Sequence, residues 1–193
     1  MLFSKKVLYI AGLIFLTATS SYAENLIKNG SFEAEAKLNN FNDLLQKGFQ
    51  FEFENDQWAK DWVINGAMKP AVISLVEGKD APDGKRFLRV KTQEATHIFY
   101  IDTFPGENSY KCSFMARGEP FEGKPPAIIF RLYFYNKTGA YVSKKQVIDR
   151  FIMEKDWKLL SIDLPVEKDL IFRICFEFQG LCDLDSVSLE PTK

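Results

Sequence analysis

The chain has 193 residues, 25 lysines and arginines against 26 aspartates and glutamates, and a single histidine. That balance holds no basic tract such as nucleic acid or anionic lipid would select, and one histidine excludes a His-rich metal site. Phenylalanine is unusually frequent, 18 residues, which suits the core of a sheet better than that of a helical bundle.

The first 23 residues predict an export signal. Lys5 and Lys6 precede an apolar run, Val7 to Leu16, and Ser21-Tyr22-Ala23 places small residues where a signal peptidase cleaves. The run is shorter than the roughly 20 residues a bilayer requires, and no later segment is apolar enough to span one. No cysteine stands at the cleavage point to take a lipid. Cleavage after Ala23 leaves residues 24–193, the size of one domain, and removes two lysines and no acid, taking the net charge from −1 to −3. The expected location is the periplasm or the exterior.

Asn25 to Glu33 reads as an extended start broken by the turn dipeptide Asn29-Gly30. Leu38, Phe41, Leu44 and Leu45 then recur at helical spacing, with Gly48 as a C-cap, and predict one short helix over residues 35–47. Phe49, Phe51 and Phe53 alternate with Gln50, Glu52 and Glu54, the period of a half-buried strand. Further strands are expected at 62–64, 71–77, 87–91, 96–103, 109–117, 127–136, 141–148, 157–164, 170–178 and 182–189. Asn65-Gly66, Pro82-Asp83-Gly84 and Pro105-Gly106 mark turns between them. Many short strands with almost no helix predict an all-β, antiparallel sandwich or barrel.

Alternation assigns faces. Ile128, Phe130, Leu132 and Phe134 point to the core, leaving Arg131, Tyr133 and Tyr135 on the other side. Phe172, Ile174, Phe176 and Phe178 form a second core set, with Arg173, Cys175 and Glu177 outside. Lys111, Ser113, Met115 and Arg117 are the outer set of residues 109–117, and Cys112 fills the core. Cys175 and Cys182 flank a turn at Gln179-Gly180, but a tight hairpin there pairs Glu177, not Cys175, with Cys182. The spacing leaves a disulfide between them open.

The ordered motifs resemble carbohydrate-binding modules of the family 4/9/22 type. Asn25-Leu26-Ile27-Lys28-Asn29-Gly30-Ser31-Phe32-Glu33 is similar to their opening segment, and Phe87-Leu88-Arg89-Val90 to their "SLRV" strand. Pro105-Gly106 through Tyr110-Lys111-Cys112-Ser113-Phe114-Met115-Ala116-Arg117-Gly118 resembles their "PG…YtlSfyaRG" segment. Trp157 stands where they have a Trp before a late strand, and Asp185-Ser186-Val187-Ser188-Leu189 resembles the closing "DDVSL". The resemblance implies an antiparallel jelly-roll β-sandwich of the galactose-binding type over residues 24–193. It also implies a structural Ca²⁺ where the two ends of the module meet, with Glu33 and Asp185 as side-chain ligands. Ser186 replaces the second Asp of that closing motif. Residues 34–56, the expected helix and the Phe-alternating strand, are an insertion relative to the family spacing.

No catalytic constellation emerges, and the chain reads as non-enzymatic. A Ser-His-Asp triad would have to use His97, and neither a nucleophile elbow nor a Gly-rich phosphate loop is present. His97 reads instead as a strand residue with one ring nitrogen hydrogen-bonded. Glu54-Asn55-Asp56 begins the Glu-x-Asp-x-x-Glu pattern of some jelly-roll glycosidases, but Ala59 stands at its third acidic position.

Binding a poly- or oligosaccharide requires flat aromatic rings for the C–H face of a sugar and polar groups for its hydroxyl rim. Arg131, Tyr133 and Tyr135 have that chemistry, and Arg117 and Trp58 are candidates to extend it. Trp62 and Trp157 read as core residues, whereas Trp58, beside Asn55-Asp56-Gln57, is expected to be exposed. The alternatives are an envelope protein-interaction module and, less favoured, a jelly-roll hydrolase or lyase.

Overall fold

Alternating large apolar and polar residues drive most of this chain into strands, because one face of each can then be removed from water. The computed structural model describes residues 24–36, 51–53, 58–67, 71–142 and 148–192, and the described residues contain strands and no helix. In chain order the strands are β1 (Glu35–Ala36), β2 (Phe51–Phe53), β3 (Trp58–Ala59), β4 (Trp62–Ala67), β5 (Ala71–Glu77) and β6 (Arg86–Tyr100). They continue with β7 (Phe104–Pro105), β8 (Ser109–Glu119), β9 (Ala127–Tyr135), β10 (Ile148–Ile152), β11 (Lys158–Leu164) and β12 (Ile171–Thr192).

Two long strands shape the molecule. The C-terminal half of β6 and the N-terminal half of β12 belong to a first layer, in the order β4, β6, β12, β9, β10. Their remaining halves belong to a second layer, in the order β2, β5, β6, β12, β8, β11. At Gly180 the register of β12 against β6 slips, and the backbone takes a φ of 77°. A Cβ there would lie 2.9 Å from the Pro125 carbonyl oxygen, so glycine is required for both space and conformation. The turn expected at Gln179-Gly180 is this crossing between layers and not a hairpin. Glu177 pairs with His97 and Cys182 with Val90, both on β6.

The two layers pack through aromatic side chains. Phe114 of β8 stacks on Phe130 of β9 at 6.4 Å and meets Phe176 of β12 edge-on at 5.1 Å. Trp62, Tyr110, Phe172 and Phe178 complete this interior, all nearly or wholly buried. Every residue expected to face the core in 128–134 and 172–178 does so, as does Cys112. The three cysteines are buried and free, and Cys175 and Cys182 do not bridge. Cys182 belongs to the core cluster, whereas Cys175, of opposite parity across the Gly180 crossing, lies on the outer side of the first layer.

Several expectations need correction. Glu35 and Ala36, expected to open a helix, pair antiparallel with β3 as β1; the rest of the span 35–47 lies outside the described residues. The expected all-antiparallel arrangement has one exception, the parallel pair β2–β5. Of the strand expected over 141–148, residues 143–147 lie outside the described residues; Tyr141 makes an isolated bridge to Tyr135, and Ile148 opens β10, which runs to Ile152. β10 pairs with β9, and Asp149 and Arg150 remain exposed on it. The export signal and Glu54-Asn55-Asp56 lie outside the described residues. No described helix is long and apolar enough to cross a membrane.

The opening segment closes one end by lying along β12. Leu26 N–H donates to the Leu189 carbonyl at 2.9 Å, Val187 N–H to Gly30 at 2.9 Å, and Asn25 Oδ1 accepts from Leu189 N–H at 3.0 Å. A Cβ on Gly30 would stand 2.0 Å from the Val187 carbonyl oxygen. Gly30→Ala is therefore expected to destabilise the fold by about 2 kcal/mol, read as a lower denaturant midpoint. A loss below about 0.5 kcal/mol would mean that this segment detaches at little cost.

Candidate functional site

The outer side of the first layer gathers most of the aromatic and charged residues singled out from the sequence. Its register places Arg131 beside Cys175, which is in turn beside Phe99, and Tyr133 beside Arg173. Tyr133 packs on Phe99 at 4.8 Å and on Tyr141 at 5.9 Å, and Tyr141 also meets Tyr135 at 5.8 Å. Cys175 and Glu177, expected to be exposed, are buried on this side. Burial in low-dielectric surroundings pushes the Tyr133 hydroxyl up to about 12. Tyr141 remains 45% exposed and forms the outer edge of the aromatic group.

Beside the tyrosines lies a charged cluster. Arg131 Nε donates to Glu177 Oε2 at 2.6 Å, and His97 Nε2 lies 2.9 Å from the same oxygen. The hydrogen bond from His97, with that from Arg131, holds Glu177 below the usual carboxylate range although burial opposes it. His97 is thus a strand residue with a ring nitrogen hydrogen-bonded, as its sequence setting suggested. Arg173 completes the face. Its guanidinium carbon stands 6.0 Å from the Tyr135 ring centre, and its Nε is buried without a hydrogen-bond partner.

Arg131, Tyr133 and Tyr135 therefore stand together, whereas Arg117 and Trp58 stand elsewhere. Arg117 is on the outer side of the second layer, where Asp183 is its neighbour in register. Arg117 and Arg131 occupy equivalent outward positions, but of opposite layers, which strand parity alone does not distinguish. Trp58 is 3% exposed, its indole N–H donating to the Trp62 carbonyl at 2.5 Å and its ring lying 5.5 Å from Phe53. Its polar sequence neighbours suggested exposure, but the packing around β3 buries it. His97, Glu177, Arg173, Tyr141 and Phe99 were not singled out as binding residues. For Arg173 and Glu177 the outward parity was a usable signal; for Tyr141 nothing in the local pattern revealed that it folds back over β9.

The outer side of the second layer carries a separate charged cluster. Asp183, 1% exposed, receives Arg89 through both carboxylate oxygens at 2.7 and 2.8 Å and Arg117 Nε at 2.8 Å. Arg117 also reaches Asp80 at 2.5 Å, and its guanidinium lies over Trp157 and Phe87 at 4.6 and 5.1 Å. Trp157, expected in the core, is half-buried in this outer stack. A cleft of about 300 Å³ borders the cluster, lined by Arg89, Arg117, Glu119, Lys155 and Asp183. That lining carries three cations and two carboxylates, with Asp80 of the cluster as a third.

Glu33 and Asp185, the expected cation ligands, both hold the loop 82–86. Glu33 Oε1 accepts the N–H groups of Lys85 and Arg86 at 2.6 and 2.7 Å, and Asp185 Oδ2 accepts Asp83 N–H at 3.0 Å. Asp185 is wholly buried, and burial raises its carboxyl to about 7, with Asp83 and Glu33 adding like-charge repulsion. Two carboxylates converging on one loop, one of them buried without a nearby cation, are chemically suited to a hard divalent ion. No group of three or more His, Cys, Asp and Glu side chains converges among the described residues, so backbone oxygens would have to complete such a shell.

The fold is similar to that of several carbohydrate-binding modules. TmCBM61, solved in complex with β-1,4-galactotriose, superposes with a TM-score of 0.52 at 16% identity, over 88% of this chain and 100% of its own. The CBM22-1 xylan-binding domain of Paenibacillus barcinonensis Xyn10C gives 0.51 at 14% identity, over 69% of this chain and 87% of that one. The enzymatically active domain of bacteriophage CBA120 tailspike protein 4 gives 0.50 at 13% identity, over 69% of this chain; the chain spans only 20% of that structure. At these identities the likeness is one of fold. No protein-family model and no curated protein sequence matches the chain.

Proposed function

We propose that the protein is an exported, non-catalytic carbohydrate-binding module with a jelly-roll sandwich, recognising a poly- or oligosaccharide on the outer side of its first layer. The observation that carries this reading is the adjacency of Tyr133, Tyr135 and Tyr141 to Arg131 and Glu177 on one sheet face. Aromatic rings offer the apolar surface a pyranose ring covers, while the guanidinium and carboxylate provide donors and acceptors for its hydroxyls. The galactotriose and xylan named for the two modules support a carbohydrate as the ligand class and leave its identity open.

Affinity electrophoresis against soluble polysaccharides tests the proposal. Wild type is expected to be retarded by at least one glycan, and the Tyr133→Ala/Tyr135→Ala variant to lose that retardation while keeping its melting cooperativity. Binding unaffected by the double substitution would move the site elsewhere. Release of reducing sugar would replace the binding assignment with a hydrolase.

The same reading includes a structural Ca²⁺ held by Glu33 and Asp185 with backbone oxygens. The ion would relieve the repulsion around the buried Asp185 carboxylate and tie the opening segment, the 82–86 loop and β12 together. Melting should then shift upward with Ca²⁺ and downward with a chelator, because a ligand of the native state raises stability.

A further inference from the structure

The charges on the proposed glycan face are lopsided. Among the described residues, the strands of the first layer present three cations, Arg131, Arg150 and Arg173, on this side and one carboxylate, Glu177. Asp149 alternates to the opposite side, in register with the core residue Phe130. Glu177 is already engaged by Arg131 and His97, and Arg150 donates to Gln179 at 3.1 Å. Arg173 is different: it has no hydrogen-bond or ion-pair partner among the described residues, and its Nε is buried. The excess of positive charge occurs in a chain whose own net charge is −1.

We infer that the glycan bound on this face is anionic, a uronate-bearing polysaccharide whose carboxylate is received by Arg173; the inference rests on the reading of this face as the glycan site. The Arg173 guanidinium meets the π face of the Tyr135 ring, which offsets only part of the cost of a cation without an anionic partner. A ligand carboxylate supplies two planar oxygens that match the edge formed by the two terminal guanidinium nitrogens, so the pair forms two parallel charge-assisted hydrogen bonds. Arg173 stands in register beside Tyr133, which itself packs on Tyr141. A sugar ring over the tyrosines therefore brings a carboxylate on its C5 within reach of Arg173. A neutral sugar occupies the same rings but leaves the excess charge of the face uncompensated.

The test measures binding of the intact protein, by titration calorimetry, to polygalacturonate and alginate, to neutral β-1,4-galactan and xylan, and to dextran sulfate. Polygalacturonate or alginate is expected to bind about 10-fold or more tightly than either neutral polymer, the worth of one charge-assisted pair. That affinity should weaken as NaCl rises from about 0.05 M to about 0.3 M. Arg173→Gln should abolish the preference, and Arg173→Lys should restore part of it, with both variants checked for unchanged melting. Equal or tighter binding of galactan or xylan overturns the inference and leaves the glycan reading standing. Dextran sulfate bound as tightly as polygalacturonate overturns the carboxylate assignment in favour of charge alone. Binding of none of the five overturns both readings.

Discussion

Replacing Asp183 with Ala is expected to cost about 3 kcal/mol of folding stability, a large share of what a domain of this size has. The reason lies in what remains behind. Asp183 is the common partner of Arg89 and Arg117 and is almost wholly buried, so its removal leaves two guanidinium groups side by side. Asp80, itself exposed, still pairs with Arg117. Breaking a buried ion pair by deleting one member typically costs about 3–5 kcal/mol. Here the arginine side chains retain 27% and 19% exposure and can rehydrate in part, which places the loss at the lower end. Equilibrium denaturation of wild type and Asp183→Ala decides it. A loss below about 1 kcal/mol would show the cluster to be screened as a surface pair is.

Without a bound cation, stability is expected to fall as the pH rises from about 4 to about 7, and Asp185→Asn should remove that fall. Asp185 has its folded carboxyl raised from 3.8 to about 7, chiefly by burial. The native state therefore holds a proton that the unfolded chain has already released. The stability this proton contributes is fully present below the unfolded value of 3.8 and is lost as the pH passes the folded value. The full shift corresponds to roughly 4 kcal/mol as an upper bound. Other carboxylates titrate in the same range, so the comparison is between wild type and Asp185→Asn, both in chelator. Ca²⁺ should flatten the wild-type profile, because a cation favours the ionised form. Identical midpoints in chelator and in Ca²⁺ at pH 8 would exclude the ion from this site.

Much of the fold was legible because large apolar residues alternate so regularly. Phe130, Leu132 and Phe134, or Phe172, Ile174 and Phe176, leave no doubt which side of each strand meets the core. What alternation does not encode is the layer to which a strand belongs. Arg117 and Arg131 are both outward, yet they stand on opposite outer sides, and only the pairing of β8 with β11 and β9 with β10 separates them. Nor does alternation reveal which outward residues are buried. Cys175 and Glu177 are outward by parity and buried in fact, Cys175 beside Phe99 and Arg131 in register and Glu177 held by Arg131 and His97. Trp58 shows the converse limit: the polar residues 55–57 suggested exposure, while it packs against Phe53, donates to Trp62 and pairs in register with Ala36.

The crossing of β12 at Gly180 bears on how the chain reaches this structure. β12 is interior to both layers, lying between β9 and β6 in one and between β6 and β8 in the other. Until residues 171–192 are in place, each layer is divided into two pieces, and the strands on either side of the gap keep unpaired edges. Neither layer can therefore serve as a finished template for its partner. Contacts this distant in sequence imply slow folding. A ribosome releasing the chain from its N-terminus would hold this fold incomplete until β12 had emerged.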